Sequence, residues 1–109
     1  MERAFFAVRD FMKHSFVYIL LCSDNSYYVG VTTDIQIRFI YHQQGNDARH
    51  YTFSRRPFKL VYYELHIDIN DAIAREKQIK RWSMAKKEAL IAGDIEELKR
   101  LSKGGRTSV

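Results

Sequence analysis

The stretch Phe16-Val17-Tyr18-Ile19-Leu20-Leu21-Cys22-Ser23-Asp24-Asn25-Ser26-Tyr27-Tyr28-Val29-Gly30-Val31-Thr32 decides the fold of this chain. Every residue from Phe16 to Cys22 is apolar or aromatic, a length and composition that fit a strand covered on both faces. Ser23-Asp24-Asn25-Ser26 supplies turn chemistry, and Tyr27 to Thr32 returns to β-branched and aromatic residues. A hairpin is the economical reading. Whether Tyr18 and Tyr28 then share a face depends on the turn, because an odd-length loop aligns even-numbered positions and a two-residue loop opposes them. Gly30 reads as a bulge or as a point where another backbone comes close.

Working outward, Thr33 or Asp34 caps a helix in which Ile35, Arg38, Phe39 and His42 share one face. From Gly45 to Pro57 periodicity is lost and the stretch reads as a long basic loop. Lys59 to His66 is a third strand, with Leu60, Tyr62, Glu64 and His66 on one side and Val61, Tyr63 and Leu65 on the other. Asn70 or Asp71 caps a helix running to about Trp82, Ser83 caps another, and Asp94 to Leu101 adds a last one whose acidic residues precede its basic ones. The expected fold class is therefore α/β of the α+β kind: a small three-stranded antiparallel sheet flanked by helices, in the order ββαβαα before the last helix. An extension at 1–14, a folded domain at 15–93 and a C-terminal helix with a frayed tail at 94–109 complete the expected organisation, with Met12 as a second candidate start.

With 109 residues the chain is long enough for one core and too short for two. Its formal net charge of +5 points to a polyanionic partner, nucleic acid first. No apolar run approaches the roughly 20 residues that span a bilayer, so no membrane is expected. The single cysteine, Cys22, forms no internal disulfide and reads as a small buried hydrophobe, and with no secretory signal a reducing cytoplasmic setting is expected. Zinc-ligand spacing, a Gly-rich phosphate loop and a Gly-x-Ser-x-Gly elbow are all absent from the sequence.

Among residues that carry chemistry, Glu76 projects between Ala72, Ile73 and Ile79, inside the apolar arc of its helix. Spacing leaves two readings open, a surface pair with Lys80 at i+4 and a sheltered functional carboxylate. Arg38 and His42 pair a planar fork for phosphate oxygens with a group that exchanges protons near neutrality, or else form an amphipathic border. Tyr18 and Tyr28 suit strand packing as well as chemistry. Arg49, Arg55 and Arg56, interleaved with Tyr51 and Phe53, mix cations and aromatics as nucleic-acid contacts do, and equally as a solvated basic loop does. Lys77, Lys80, Arg81, Lys86 and Lys87 extend the positive surface, and Trp82 reads as core.

Taken together, Val17-Tyr18-Ile19-Leu20, Tyr27-Tyr28-Val29-Gly30, Thr32-Thr33-Asp34, Arg38 with His42, Arg55-Arg56-Pro57 and Glu76-x-x-Ile79-Lys80-x-Trp82 resemble the GIY-YIG endonuclease family, in particular small standalone members related to the nuclease half of the excinuclease C subunit. The naming tripeptides are Phe16-Val17-Tyr18 and Tyr28-Val29-Gly30 here. The resemblance implies that Tyr18, Tyr28, Arg38, His42 and Glu76 line one catalytic face. It implies that Glu76 binds one divalent ion, Mg²⁺ or Mn²⁺, and that Arg38 stabilises the transition state. Tyr18 or His42 would then help deprotonate water while Tyr28 positions it, with Arg38 and the metal pulling the tyrosine pKa down. Arg49, Arg55, Arg56 and Lys80 would contact DNA. Phe16 stands where the family has glycine, Val31 where many members have a basic residue, and Lys86-Lys87-Glu88 near a late asparagine position.

The expected function is a metal-dependent endonuclease acting on structured, damaged or single-stranded DNA in repair, with RNA a further candidate substrate. The alternative is a nucleic-acid-binding module without its own catalysis, or one activated and targeted by a protein partner.

Overall fold

A computed structural model describes residues 14–45 and 53–104. β1 (Ser15–Leu21) and β2 (Tyr27–Thr32) form the hairpin, followed by α1 (Ile35–Gln44), a 3₁₀ turn (Phe53–Arg55), β3 (Lys59–His66), α2 (Ile69–Lys80), α3 (Met84–Ala92) and α4 (Ile95–Gly104). The sheet is antiparallel in the order β2-β1-β3. This is the expected α+β architecture, with the order ββαβααα once the last helix is included. The apolar run therefore forms the central strand. Val17 and Ile19 on one face and Tyr18 and Leu20 on the other are all essentially inaccessible to water.

The hairpin loop, residues 22–26, has odd length, so Tyr18 lies opposite Gly30 and Leu20 opposite Tyr28. Both tyrosines face the same way. Asn25 takes a left-handed conformation, and Asp24 accepts hydrogen bonds from the Ser26 backbone and hydroxyl, so local turn chemistry fixes the register. On the Tyr18 face, Tyr18, Leu20, Cys22 and Phe58 form one core cluster against Tyr28, Ile35 and Phe39. On the opposite face, Val17, Ile19 and Val29 pack with Ala72, Ile79 and Leu90 of α2 and α3, and Trp82 and Leu98 close the edges.

Several sequence expectations are corrected here. A register shift between Ile19 and Leu20 pairs Ile19 with Tyr62 but Leu20 with Leu60. Val61 is the extra residue of this bulge, so Leu60 moves to the Tyr18 face and strict alternation along β3 fails. Asp68, rather than Asn70 or Asp71, caps α2 by accepting from the Asn70 N–H, since its extended backbone aims the carboxylate at the orphan donor. The helix ends at Lys80, short of Trp82. Asp34 and Ser83 cap α1 and α3 as expected. Part of the long loop is the 3₁₀ turn, followed by a cis Arg56–Pro57 bond. Arg49, Tyr51, residues 1–13 of the extension and residues 105–109 of the tail lie outside the described residues. Among those described, no helix is long and apolar enough to cross a membrane.

Candidate active site

Tyr18 organises the site. Its ring lies across β2 at Gly30: a Cβ built there would stand 2.5 Å from the Tyr18 hydroxyl oxygen and 2.6 Å from Cζ. The close approach at Gly30 is thus made by a side chain, and no bulge falls in the β1–β2 pairing. The hydroxyl reaches α1, where Oη lies 3.1 Å from His42 Nε2. His42 is 2 % exposed and is enclosed by aromatic rings, with centroids at 5.2 Å for Tyr28, 5.7 Å for Tyr41 and 6.0 Å for Phe58. Tyr18 and Tyr28 lie 6.3 Å apart, centroid to centroid.

Arg38, one turn before His42, places its guanidinium 4.9 Å from the Tyr41 ring centroid and close enough to act on the Tyr18 hydroxyl. Its Nε is buried with no hydrogen-bond partner among the described residues. A buried donor left in this state costs about 1–3 kcal/mol. Carboxylate and phosphate oxygens are the acceptors that a guanidinium fork fits.

Glu76 comes from α2, flanked by the fully buried Ala72 and Ile79. Its side chain is only 17 % exposed, yet one oxygen lies 3.2 Å from Lys80 Nζ. The i,i+4 pair and the sheltered carboxylate, which spacing posed as alternatives, are both present. Glu76 also acts electrostatically on the hydroxyls of Tyr18 and Tyr28, so residues from β1, β2, α1 and α2 meet at one place.

Burial pushes the Tyr18 pKa up to about 12, the neighbouring Tyr28 adds to the rise, and Arg38 opposes it without prevailing. Burial raises Tyr28 too, against the pull of Arg38 and Lys80. From sequence, Arg38 is expected to help lower a tyrosine; desolvation of the phenolate outweighs it in the chain as it stands. Both phenols are protonated at neutral pH. With His42 in the Nδ1–H tautomer, Tyr18 donates to Nε2.

A metal here would rest on few protein ligands, because among the described residues no three His, Cys, Asp or Glu side chains converge. Mg²⁺ accepts such a site, taking its remaining ligands from water and phosphate. Glu76 fits that requirement, half-sheltered and already holding a cation in the form of the Lys80 ammonium.

The proposed DNA contacts divide. Lys80 borders the site through Glu76. Arg55 pairs with Asp24 at 3.0 Å, tying the 3₁₀ turn to the hairpin loop, and Arg56 donates to the Gln43 carbonyl at 3.3 Å while lying against Gly45. Gly45 ends α1 with a positive φ of 65°, where a side chain would also strike Arg56 at 2.7 Å. Sequence reasoning missed Gln43, Tyr41 and Phe58. The Gln43 amide accepts from the Phe58 N–H at 3.2 Å and donates to its carbonyl at 3.3 Å, holding Phe58 against His42. These contacts cross a long loop and leave no periodic signal.

The order of elements and the convergence of Tyr18, Tyr28, Arg38, His42 and Glu76 invite comparison with known proteins, and the GIY-YIG catalytic domain matches residues 14–89. This chain belongs to the GIY-YIG family. It is 41 % identical over 87 residues to a UPF0213 protein of Syntrophus aciditrophicus, covering 80 % of this chain and all of that one. With a UPF0213 protein of Staphylococcus haemolyticus it shares 41 % identity over 80 residues, covering 73 % of this chain and 96 % of the relative. The solution structure of the protein EF2693 from E. faecalis is similar at 28 % identity and a TM-score of 0.55, over 77 % of this chain and 88 % of that one. GIY-YIG domains are generally nucleases that use divalent metal ions, so a nucleic-acid substrate follows from membership of the family.

Proposed function

We propose that this GIY-YIG protein is a metal-dependent endonuclease that hydrolyses phosphodiester bonds in DNA, on structured, damaged or single-stranded substrates in repair. The observation that carries this reading is the buried Nε of Arg38, without an acceptor among the described residues, beside a hydroxyl–imidazole pair and a sheltered carboxylate. In this reading Arg38 binds the scissile phosphate and stabilises the charge that grows on its oxygens, a preorganised electrostatic contribution. Tyr18 takes a proton from the attacking water as its own passes to His42 Nε2. Tyr28 orients the water or a phosphate oxygen, and Glu76 holds Mg²⁺ or Mn²⁺. The bound ion supplies charge neutralisation at the phosphate and acidifies water.

The test is cleavage of labelled single-stranded, duplex and branched DNA with Mg²⁺ or Mn²⁺, comparing wild type with folded Glu76→Ala and Arg38→Ala. Cutting that requires metal and falls by at least about 100-fold in each variant supports the reading. Cutting that survives both substitutions overturns the site assignment. Salt-sensitive DNA binding with no cutting by any sample points instead to a binding module or a partner-activated subunit.

A further inference from the structure

β2 is an edge strand, and along it Tyr27 and Tyr28 point to opposite faces of the sheet. Around this edge runs a groove of about 380 Å³, lined by Tyr27, Tyr28, Val29, Lys80 and Lys87. Tyr28 belongs both to this groove and to the aromatic cage around His42, so the groove opens directly onto the candidate active site. Lys80 and Lys87 come from α2 and α3, the helices that pack on the far face.

The other cations on these helices with described contacts have partners within the protein. Arg75 holds Glu64 at 2.9 Å, Lys80 holds Glu76 at 3.2 Å, and Lys86 sits 4.7 Å from the Trp82 ring centroid. Lys87 differs. It is half-buried, burial alone pushes its pKa down, and among the described residues no carboxylate or ring engages its ammonium. A sheltered cation without a counter-charge is unfavourable for folding. It is stabilising only when an anion arrives. A strand whose scissile phosphate sits at Arg38 must leave the site past some edge of the sheet, and the β2 edge offers an aromatic wall beside this unmatched charge.

We propose that the β2-edge groove is a subsite for a phosphate flanking the scissile one on the bound nucleic-acid strand, with Lys87 as its main ligand. The inference rests on the nuclease reading above for the direction of the strand, but binding tests it without catalysis. Anisotropy of a fluorescein-labelled single-stranded DNA oligomer, in EDTA and across a salt series, compares wild type, Lys87→Gln, Lys87→Arg and Lys99→Gln. Lys99 is an exposed residue of α4 and controls for net charge. The slope of log affinity against log salt becomes shallower by about 0.7 for each single-strand phosphate that the protein no longer neutralises.

Lys87→Gln is expected to weaken binding roughly five- to tenfold at low salt and to make the slope shallower by about one phosphate's share, while Lys87→Arg restores both and Lys99→Gln changes neither. Because the ammonium is unmatched in the free protein, Lys87→Gln also leaves the melting temperature unchanged or raises it. An unchanged slope for Lys87→Gln, or an equal fall for Lys99→Gln, overturns the subsite even if wild type cuts DNA. The Lys87 signature without any cutting removes the nuclease reading and keeps the subsite. No binding of DNA by wild type in EDTA removes the subsite and leaves the nuclease reading to the cleavage assay.

Discussion

The ring of Tyr18 lies across the α-carbon of Gly30, with the hydroxyl continuing to His42. The second glycine-bearing tripeptide is thereby tied to the first through a side chain: the missing Cβ at position 30 is the space in which the Tyr18 phenol stands. Tyr18 is itself fully buried against Leu20, Cys22 and Phe58, so it has little room to yield.

Gly30→Ala is therefore expected to destabilise the fold by about 1–3 kcal/mol through overpacking and to break the Tyr18–His42 contact. Urea unfolding measures the first effect, and histidine chemical shifts report the second. Wild-type stability with unchanged His42 shifts would show that the ring moves aside freely.

Alkaline pH should unfold this protein through its buried phenols. Tyr18 and Tyr62 are each raised to about 12, Tyr62 by burial, by its hydrogen bond to Glu64 and by the Glu64 charge, with Arg75 opposing. A raised folded pKa gives a stability contribution that is complete below the unfolded value of about 10 and is lost as pH rises through the folded value. Stability should fall between about pH 10 and 12, and Tyr18→Phe should flatten part of that fall. Tyrosinate absorbance followed in parallel must show late-ionising tyrosines, Tyr18 and Tyr62 among them, and one of these must disappear in Tyr18→Phe.

Acid acts elsewhere, at Glu64. Burial alone would raise its pKa, but hydrogen bonds from Arg75, Tyr62 and His66, with the Arg75 charge, prevail and hold it below the ordinary value. Its contribution is present above the unfolded carboxyl range near about 4.3 and is lost as pH falls through the lowered folded value. Glu64→Gln should cost about 1–3 kcal/mol at neutral pH, since it deprives Arg75 of its anion, and should weaken the acid dependence. Thermal melts across pH 3 to about 7 decide this; parallel curves for variant and wild type would contradict it.

Lys80 competes with any cation for Glu76. The pair is half-exposed on the lysine side, and such contacts are worth about 0.2–1 kcal/mol. Lys80→Ala should therefore lower the Mn²⁺ concentration that broadens resonances around Glu76 by about two- to fivefold. A higher requirement in the variant would mean that Lys80 assists the ion.

Gln43→Ala removes both hydrogen bonds that hold the Phe58 backbone. The expected loss is about 1–2 kcal/mol, with a fall in cleavage because Phe58 no longer braces His42. Stability by chemical unfolding and activity of the folded variant should change together, and Gln43→Glu, which keeps the acceptor for the Phe58 N–H, should recover part of both.

Much of the fold was legible because its decisive signals are local. The apolar run at Phe16–Cys22, the turn residues Asp24 and Asn25, and the caps Asp34 and Ser83 each act within a few residues. The shared face of Tyr18 and Tyr28 was not settled there, because it turns on the loop length, which the strand register supplies. Glu76 was conspicuous because helical periodicity exposes a carboxylate among apolar neighbours. The bulge at Val61 was not visible, since it depends on how β3 meets β1. Nor was the engagement of Arg55 with Asp24 or of Arg56 with Gln43, because composition does not separate a cation facing solvent from one tied to the scaffold.

By itself, then, the sequence determined the order of elements, the central strand and the helical face carrying Arg38 and His42, all consequences of short-range sterics and periodicity. Only the tertiary structure decided the rest: that Gly30 makes room for a ring, that Glu76 both pairs with Lys80 and bears on the tyrosines, and that burial drives Tyr18 up to about 12. Those properties depend on what surrounds a group in three dimensions. Desolvation and electrostatic coupling arise from neighbours far away along the chain.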